Sequence, residues 1–412
     1  MMKANRQQPV DAIVIGAGPV GSYVALQLAK LGVNVLVFEE HPTVGVPSHC
    51  AGHISIRSLK NMGLYPLPEG MVENTFSVAN FYSPAGTKFS LHLSRPVTAA
   101  VNRAMFDQYL AKQAEAAGAS LSLNSRVQSL VIENGFVRGV DVNLGGTKER
   151  ITSKIVLDAE GISSRLLRQT GLTALKANGL LYAVEADAEN VQDFEQDAVS
   201  VFFGKSYAPG FYGWLIPRRD GTAKVGLATN NGNPQEFLNR LMFKHPIASK
   251  MLSKSKITKI NYHAISLGGP IERIYANGFL AVGDCASQVK PTTGGGVIFG
   301  LTCAKLAAEV ASQALKQGDV SADFLRVYQQ RCDELYRFDF RVMLRLRRFL
   351  NSLSDDKLDE MLRYCGKLGV DRALSNADEI DFQGRLLLEV LWKPSVLATL
   401  MYFGFAYLFA SS

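Results

Sequence analysis

Asp11-Ala12-Ile13-Val14-Ile15-Gly16-Ala17-Gly18-Pro19-Val20-Gly21 is the stretch that decides the fold. It reads as a buried strand, a tight glycine turn and a helix start. Gly16 permits the turn, Gly18 lets the backbone approach a pyrophosphate without a Cβ in the way, and Gly21 lets the helix pack closely on the strand. The helix, expected over about residues 19–31, aims its free N–H groups and the positive end of its dipole at the phosphates. A second strand over residues 33–38 closes at Glu39, about twenty residues beyond the turn, where a carboxylate accepts hydrogen bonds from ribose hydroxyls. An acid at that place disfavours a 2′-phosphate, so the pattern suits FAD or NAD rather than NADP.

A second glycine cluster lies far downstream. Gly278-Phe279-Leu280-Ala281-Val282-Gly283-Asp284 is followed by Pro291 and by Gly294-Gly295-Gly296-Val297, which opens another helical stretch. One cluster alone specifies a dinucleotide; two clusters at opposite ends of the chain, serving one ligand, suggest FAD.

Composition frames this reading. With 412 residues, 47% apolar and 20% charged, the chain is long enough for two or three subdomains around a large core. The net charge of +7 is modest and spread out, apart from a local basic excess over residues 337–348, so nucleic acid is not an expected partner. Residues 1–10 are polar and do not read as a signal segment. The five cysteines, Cys50, Cys285, Cys303, Cys332 and Cys365, show neither C-x-x-C spacing nor an even framework, which favours a reduced, cytoplasmic setting. No metal site is expected.

Along the chain, residues 54–62 read as helical and 76–93 alternate like paired strands. A helix starts at Asn102-Arg103 and stops at Gly118. Strands follow near residues 120–123, 127–133 and 137–142, with turns at Asn134-Gly135 and Gly145-Gly146. Asp158-Ala159-Glu160-Gly161-Ile162-Ser163-Ser164-Arg165 then returns to the nucleotide domain. The expected fold class is α/β with an inserted mixed β-sheet, and the expected organisation is a discontinuous Rossmann-like FAD-binding domain (8–75, 98–175 and 276–320), an antiparallel-sheet substrate domain (76–97 and 176–275) and a helical C-terminal region (321–412).

This interleaved α/β arrangement resembles the FAD-dependent fold of the p-hydroxybenzoate hydroxylase superfamily over most of residues 8–320. The glycine turn with Glu39, the helix start at Arg103, the segment from Asp158 to Arg165, and Gly283-Asp284 with the later glycines carry the resemblance. It implies that Arg103 holds the pyrophosphate side, that the backbone near Val127 lines the adenine and that Asp284 bonds the ribityl chain. It also places the Gly294-Gly295-Gly296-Val297 turn and its helix N-terminus near the flavin ring. From the residues alone, the lesser alternative for Arg103 is a solvated helix-start cation.

Two further segments resemble one branch, the geranylgeranyl reductase family. Pro47-Ser48-His49-Cys50-Ala51-Gly52 lies where that family carries a cysteine and glycine beside the flavin. Pro209-Gly210-Phe211-Tyr212-Gly213-Trp214-Leu215-Ile216-Pro217 is similar to its Pro-x-x-Tyr-x-Trp-x-Phe-Pro signature, with Ile216 in place of Phe. Tyr212 and Trp214, two apart on a strand, would share one side and form an aromatic wall for an apolar chain; the other reading is ordinary core aromatics. Cys50 is the candidate catalytic residue, assisting proton delivery or positioning the alkene, with His49 and His53 as flanking proton sources. Its alternative is a small residue that allows close packing on the flavin.

Residues 338–350 mix apolar and arginine positions at helical spacing, giving an amphipathic helix with a basic flank. Residues 386–409 are almost wholly apolar, but the clean part, 395–410, is about sixteen residues, short of the roughly twenty that cross a bilayer. An interfacial anchor, a cover for a lipid tunnel and a buried core helix all fit it. The resemblance implies an FAD-dependent reductase that saturates isoprenoid double bonds of membrane lipids or their precursors. With no second dinucleotide motif the electron donor stays open among NADPH, a reduced deazaflavin and ferredoxin, and the basic flank with the apolar tail points to peripheral contact at the cytoplasmic membrane face. The competing expectations are an aromatic monooxygenase or halogenase on the same fold, and a non-catalytic FAD- or lipid-binding protein.

Overall fold

The strand Val10–Ile15 runs through the middle of an eight-stranded sheet, parallel to Val35–Phe38 on one side and to Thr147–Asp158 on the other. Ser120–Ser122 extends the sheet beyond the first neighbour and Phe279–Ala281 beyond the second, both in parallel register. Such a sheet is buried on both faces, which is why Ala12, Ile13 and Val14 form an uninterrupted apolar run with no exposed surface. The chain passes to one side of the central strand first and to the other side later. That reversal of strand order opens a crevice at the carboxyl ends, directly beyond Ile15. The computed structural model describes residues 10–398 apart from 174, 176, 378 and 391.

The long strand Thr147–Asp158 serves two partners. Its first half pairs antiparallel with Phe136–Leu144, which forms a hairpin with Ser125–Glu133, while its second half lies in the parallel sheet. Asn134 and Gly135 both take positive φ, 49° and 76°, as the two-residue hairpin turn requires. The helix Arg103–Ala116 is capped by Asn102, whose side chain accepts from the Met105 N–H.

A second sheet has seven strands in the order Lys256–Ser266, Leu180–Glu189, Ala223–Thr229, Gly213–Pro217, Ala198–Phe202, Val78–Tyr82 and Lys88–His92. Its neighbours are antiparallel except Val78–Tyr82 with Ala198–Phe202, which run parallel. The sheet is therefore mixed, as the expected fold class has it, and not wholly antiparallel as the domain division has it; the connection from residue 93 to 197 is long enough for a crossover. A third, three-stranded sheet of His53–Ser55, Thr98–Val101 and Val72–Phe76 also departs from expectation. The helical reading of 54–62 holds only for Ile56–Asn61: His53, Ile54 and Ser55 pair with Ala100, Ala99 and Thr98, and Ser55 then caps the helix by accepting from Ser58 N.

The remaining chain is helical. Val297–Gln317 is, among the described residues, the one helix long and apolar enough to cross a bilayer, yet 67% of its most apolar stretch is buried inside the protein. It packs under Ala322–Ser352, whose inward stripe of Leu325, Tyr328, Cys332, Tyr336, Phe340 and Met343 repeats at three- and four-residue spacing. Phe299 meets Tyr336 and Phe340 edge to face, with ring centroids 6.1 and 5.1 Å apart. Arg337, Arg341, Arg345 and Arg348 stand on the exposed side of the same helix. Asp355–Lys367, Val370–Leu374 and Gln383–Val390 follow.

Candidate functional site

The first glycine turn is as tight as its sequence demands. A Cβ on Gly21 would lie 1.9 Å from the Gly16 carbonyl oxygen, and one on Gly16, at φ +88°, would lie 2.6 Å from the carbonyl of Ala159. No side chain at either position is compatible with this packing. Gly18 has the opposite surroundings: nothing stands within 4 Å of where its Cβ would be, and it starts the helix Pro19–Lys30 without any side-chain cap. The N–H groups of that helix start are left for an anion. Glu39, 8% exposed, accepts from the Ala17 N–H at 2.8 Å and the His41 N–H at 3.0 Å, so the acid at the second strand's end also braces the turn.

Beside this turn lies a cavity of about 1310 Å³. Of the residues singled out from sequence, Gly18, Val20, Gly21, Cys50, Ala51, Arg103, Tyr212, Trp214, Asp284, Gly294, Gly295, Gly296 and Val297 line it. Gly16, Glu39, Gly52, Val127, Gly283 and Pro291 do not. Val127 is buried in its strand and its carbonyl accepts from Arg165. Gly283 packs on Val20, and Gly52 is pressed on the strand Thr98–Val101, where a Cβ would fall 2.1 Å from the Val101 carbonyl oxygen. Gly52 therefore shapes the loop from behind.

A second uncapped helix start, Val297–Gln317 with Gly296 before it, opens onto the same space. Arg103 lines the same cavity as both helix starts. It is not a solvated cation: its side chain is 9% exposed, its guanidinium makes two hydrogen bonds to Asp107 at 3.1 and 3.2 Å, and it contacts the Cys50 side chain. Burial opposes its charge, but Asp107 and Cys50 outweigh burial and hold its pKa above the ordinary value. Burial pushes the Asp107 carboxyl up in spite of Arg103, and it pushes Asp284 up as well, again against the pull of Arg103.

The loop carrying Cys50 crosses the cavity. Cys50 Sγ accepts from the Gly52 N–H at 3.5 Å, and its carbonyl accepts from Lys224 Nζ at 2.9 Å. Tyr212 and Trp214 meet edge to face at 6.3 Å, but Tyr212 precedes the strand Gly213–Pro217 instead of lying on it. Its ring stacks on Phe211 at 4.1 Å and its hydroxyl donates to the Thr293 carbonyl at 3.1 Å. The aromatic wall is thus tied to the second glycine turn. Burial raises the Tyr212 pKa far above that of a free phenol.

Both histidines near Cys50 face the cavity, and both are poor proton stores. His53 has accessible surface and lines the cavity, and desolvation and Lys290 hold it to about 4; His49 is lowered by burial, Lys259 and His41. The structure adds groups that sequence reasoning missed. Glu185 and His263 line the cavity from the seven-stranded sheet, and Lys290 forms a buried ion pair with Asp381 at 2.6 Å. Val342, Leu346, Phe349, Leu374, Leu386 and Val396 make the far wall apolar. The described start of the apolar C-terminal segment therefore lines the cavity; residues 399–412 lie outside the described residues.

The donor set fits a flavin dinucleotide. Two uncapped helix starts and one buried guanidinium surround a crevice at the carboxyl ends of a parallel sheet, and Gly18 leaves the approach open. Such a set holds a pyrophosphate and stabilises negative charge on a reduced ring. This is the architecture of an FAD-binding flavoprotein, and residues 9–336 match the family model described as the FAD binding domain.

The digeranylgeranylglycerophospholipid reductase 2 of Methanopyrus kandleri is 31% identical over 393 residues, spanning 94% of this chain and 97% of that protein. The digeranylgeranylglycerophospholipid reductase of Methanocaldococcus jannaschii is 32% identical over 390 residues, 94% of this chain and 96% of its own length. The chain belongs to the digeranylgeranylglycerophospholipid reductase family within the FAD-binding flavoproteins. Among solved structures, a geranylgeranyl bacteriochlorophyll reductase-like protein from Thermoplasma acidophilum superposes with a TM-score of 0.86 at 26% identity, covering 96% of this chain and 99% of that one. A flavin-dependent brominase shares the fold alone, at a TM-score of 0.71 and 19% identity.

Proposed function

We propose that the protein is an FAD-dependent reductase that saturates isoprenoid double bonds, of the geranylgeranyl type, in membrane lipids or their precursors. The observation that carries this reading is the continuity of one cavity from the glycine turns of the dinucleotide site to the apolar wall of the C-terminal helices. A long hydrocarbon chain suits that wall, and family membership gives the reaction class.

In this reading Gly16, Gly18, Val20, Gly21 and Arg103 hold the pyrophosphate, Glu39 the ribose and Val127 the adenine side. Asp284 holds the ribityl side, with Gly283 and Pro291 shaping its turns, and Ala51 and Gly294, Gly295, Gly296 and Val297 frame the ring, with Gly52 shaping the loop behind Ala51. FAD, when bound and reduced, supplies the hydride. Tyr212 and Trp214 grip the substrate chain, and the apolar wall excludes water. Cys50 lies where a substrate alkene would rest, its loop fixed by Lys224 and Arg103. Isolated alkenes accept hydride poorly, so placement and protonation must supply much of the rate.

The reductant is NADPH, a reduced deazaflavin or ferredoxin. The exposed arginines of Ala322–Ser352 and Trp392, 86% exposed beside the cavity-lining segment, support peripheral contact with an anionic membrane surface from the cytoplasm. The test is anaerobic: dithionite-reduced holoenzyme incubated with geranylgeranyl lipid should produce a mass gain of two hydrogens per double bond. Oxygen uptake with a phenolic substrate and no alkene reduction would instead indicate a hydroxylase or halogenase. Lipid that binds and stays unchanged would indicate a carrier.

A further inference from the structure

The cavity wall formed by the seven-stranded sheet carries three polar atoms that are buried and have no hydrogen-bond partner: Glu185 Oε2, Trp214 Nε1 and His263 Nδ1. They lie together on one face. Glu185 and Trp214 are each directly opposite Gly226, and the Trp214 ring lies across that glycine, filling the place where a Cβ would stand. His263 is opposite Ala183, two residues from Glu185 and so on the same side. Buried orphans of this kind are rare in folded proteins and concentrate where a ligand or a proton must be handled.

We infer that Glu185 is the acid that protonates the substrate alkene, an inference that rests on the function proposed above. Lys224 donates from one ammonium both to Glu185 Oε1, at 3.3 Å, and to the Cys50 carbonyl, at 2.9 Å. That bridge fixes the carboxyl next to the Cys50 loop and leaves Oε2 buried without a hydrogen-bond partner. Glu185 is 2% exposed, and burial raises its pKa in spite of the opposing pull of Lys224. The charged and titratable groups around it are Lys224, Asp187, Arg218, His263 and His49. Lys224 and Arg218 favour its ionised form, Asp187 opposes it, and the two histidines are neutral at physiological pH.

Of the other acids at the cavity, both Asp107 oxygens are bound by Arg103, Asp381 is held by Lys290 and Ser58, and the Tyr212 hydroxyl donates to the Thr293 carbonyl, while Asp284 is the residue assigned above to the ribityl side. In the proposed step the Glu185 O–H bond breaks and its proton forms a C–H bond at one alkene carbon. A hydride from the two-electron reductant, reduced flavin, forms the C–H bond at the other. The alkene is reduced, the reductant is oxidised, and the carboxylate left behind is reprotonated from water.

Glu185→Gln keeps the size and removes the acid. It should bind FAD and be reduced by dithionite like the wild type, bind lipid with unchanged affinity, and lose turnover by about 100-fold or more. Glu185→Asp, which keeps the acid on a shorter stem, should recover part of that loss. Infrared spectroscopy at neutral pH should show a protonated carboxylic acid band in the wild type that is missing in Glu185→Gln, and wild-type turnover should fall as pH rises and that band disappears. A Glu185→Gln enzyme that turns over within threefold of wild type, or a wild type lacking the band, overturns the assignment while leaving the reductase reading intact. A wild type that binds lipid and reduces no alkene overturns both.

Discussion

Lys290 and Asp381 form a buried ion pair, Nζ to Oδ1 at 2.6 Å, that joins the loop before the second glycine turn to the C-terminal helical region. Ser58 donates to the other Asp381 oxygen, so the carboxylate is held from two separate parts of the chain. Burial opposes its charge, yet Lys290 and the serine keep its pKa below the ordinary carboxylate range. Asp381→Asn leaves the lysine charge buried and unpaired, and should cost about 3–5 kcal/mol in denaturant titration. Replacing both partners, with Lys290→Met and Asp381→Leu, should restore most of that loss.

Gly21→Ala places a methyl group where the Gly16 carbonyl already stands. The turn must open, and the helix start must move away from its phosphate-binding position. The purified variant should retain little flavin, with FAD affinity reduced by at least about tenfold in fluorescence titration.

Cys50→Ala separates two readings of the loop. If the thiol assists the reaction, turnover should fall by about tenfold or more with the substrate KM unchanged. Unchanged turnover would reduce Cys50 to a small residue that lets the loop approach its ligand, with the contact to Arg103 as its remaining role.

Trp214→Ala removes an aromatic surface from the cavity wall, and should raise KM for a geranylgeranyl lipid by about tenfold with a smaller effect on short-chain analogues. Tyr212→Phe removes only the hydrogen bond to Thr293, so its effect should be a loss of about 1 kcal/mol of stability.

His245 supplies a pH-dependent term far from the cavity. It has no exposed surface, its Nε2 donates to the Ser83 carbonyl at 3.0 Å, and its Nδ1 accepts from the Ile247 and Ala248 N–H groups, both at 3.1 Å. Burial holds its pKa to about 4, below the ordinary 6.5. A depressed histidine stabilises the fold above its unfolded pKa and loses that contribution as pH falls toward 4. Denaturant titrations should show about 3 kcal/mol less acid sensitivity across that window in His245→Gln than in the wild type.

The parts of the site that were legible in the sequence are local ones. The strand, turn and helix of residues 11–21 are adjacent in the chain, and each glycine there answers a clash that the neighbouring backbone creates. Asn102 and the Asn134-Gly135 turn announce their elements in the same way. Glu185, Lys224 and His263 could not be found so, because they belong to three strands that share an alternating pattern with many others and meet only through register. Gly52 looked like a ligand contact because proximity to Cys50 in sequence does not tell which way the loop faces. The three-residue strand His53–Ser55 is too short for any periodicity to reveal. The ion pair between Lys290 and Asp381 depends on how the C-terminal helices dock, which no window of sequence contains.

The order of the strands in the parallel sheet has a consequence for how the protein is made. Residues 153–158 pair with Val10–Ile15 on one edge, and on the other edge Val156, Leu157 and Asp158 pair with Phe279–Ala281. At about 5–20 residues per second, the ribosome needs on the order of ten seconds to reach the covering strand. Throughout that interval the nascent chain presents an apolar strand edge, the kind of surface on which two chains associate. Soluble yield should therefore depend on translation speed between codons 158 and 281, and on chaperones that occupy the edge until the last strand arrives.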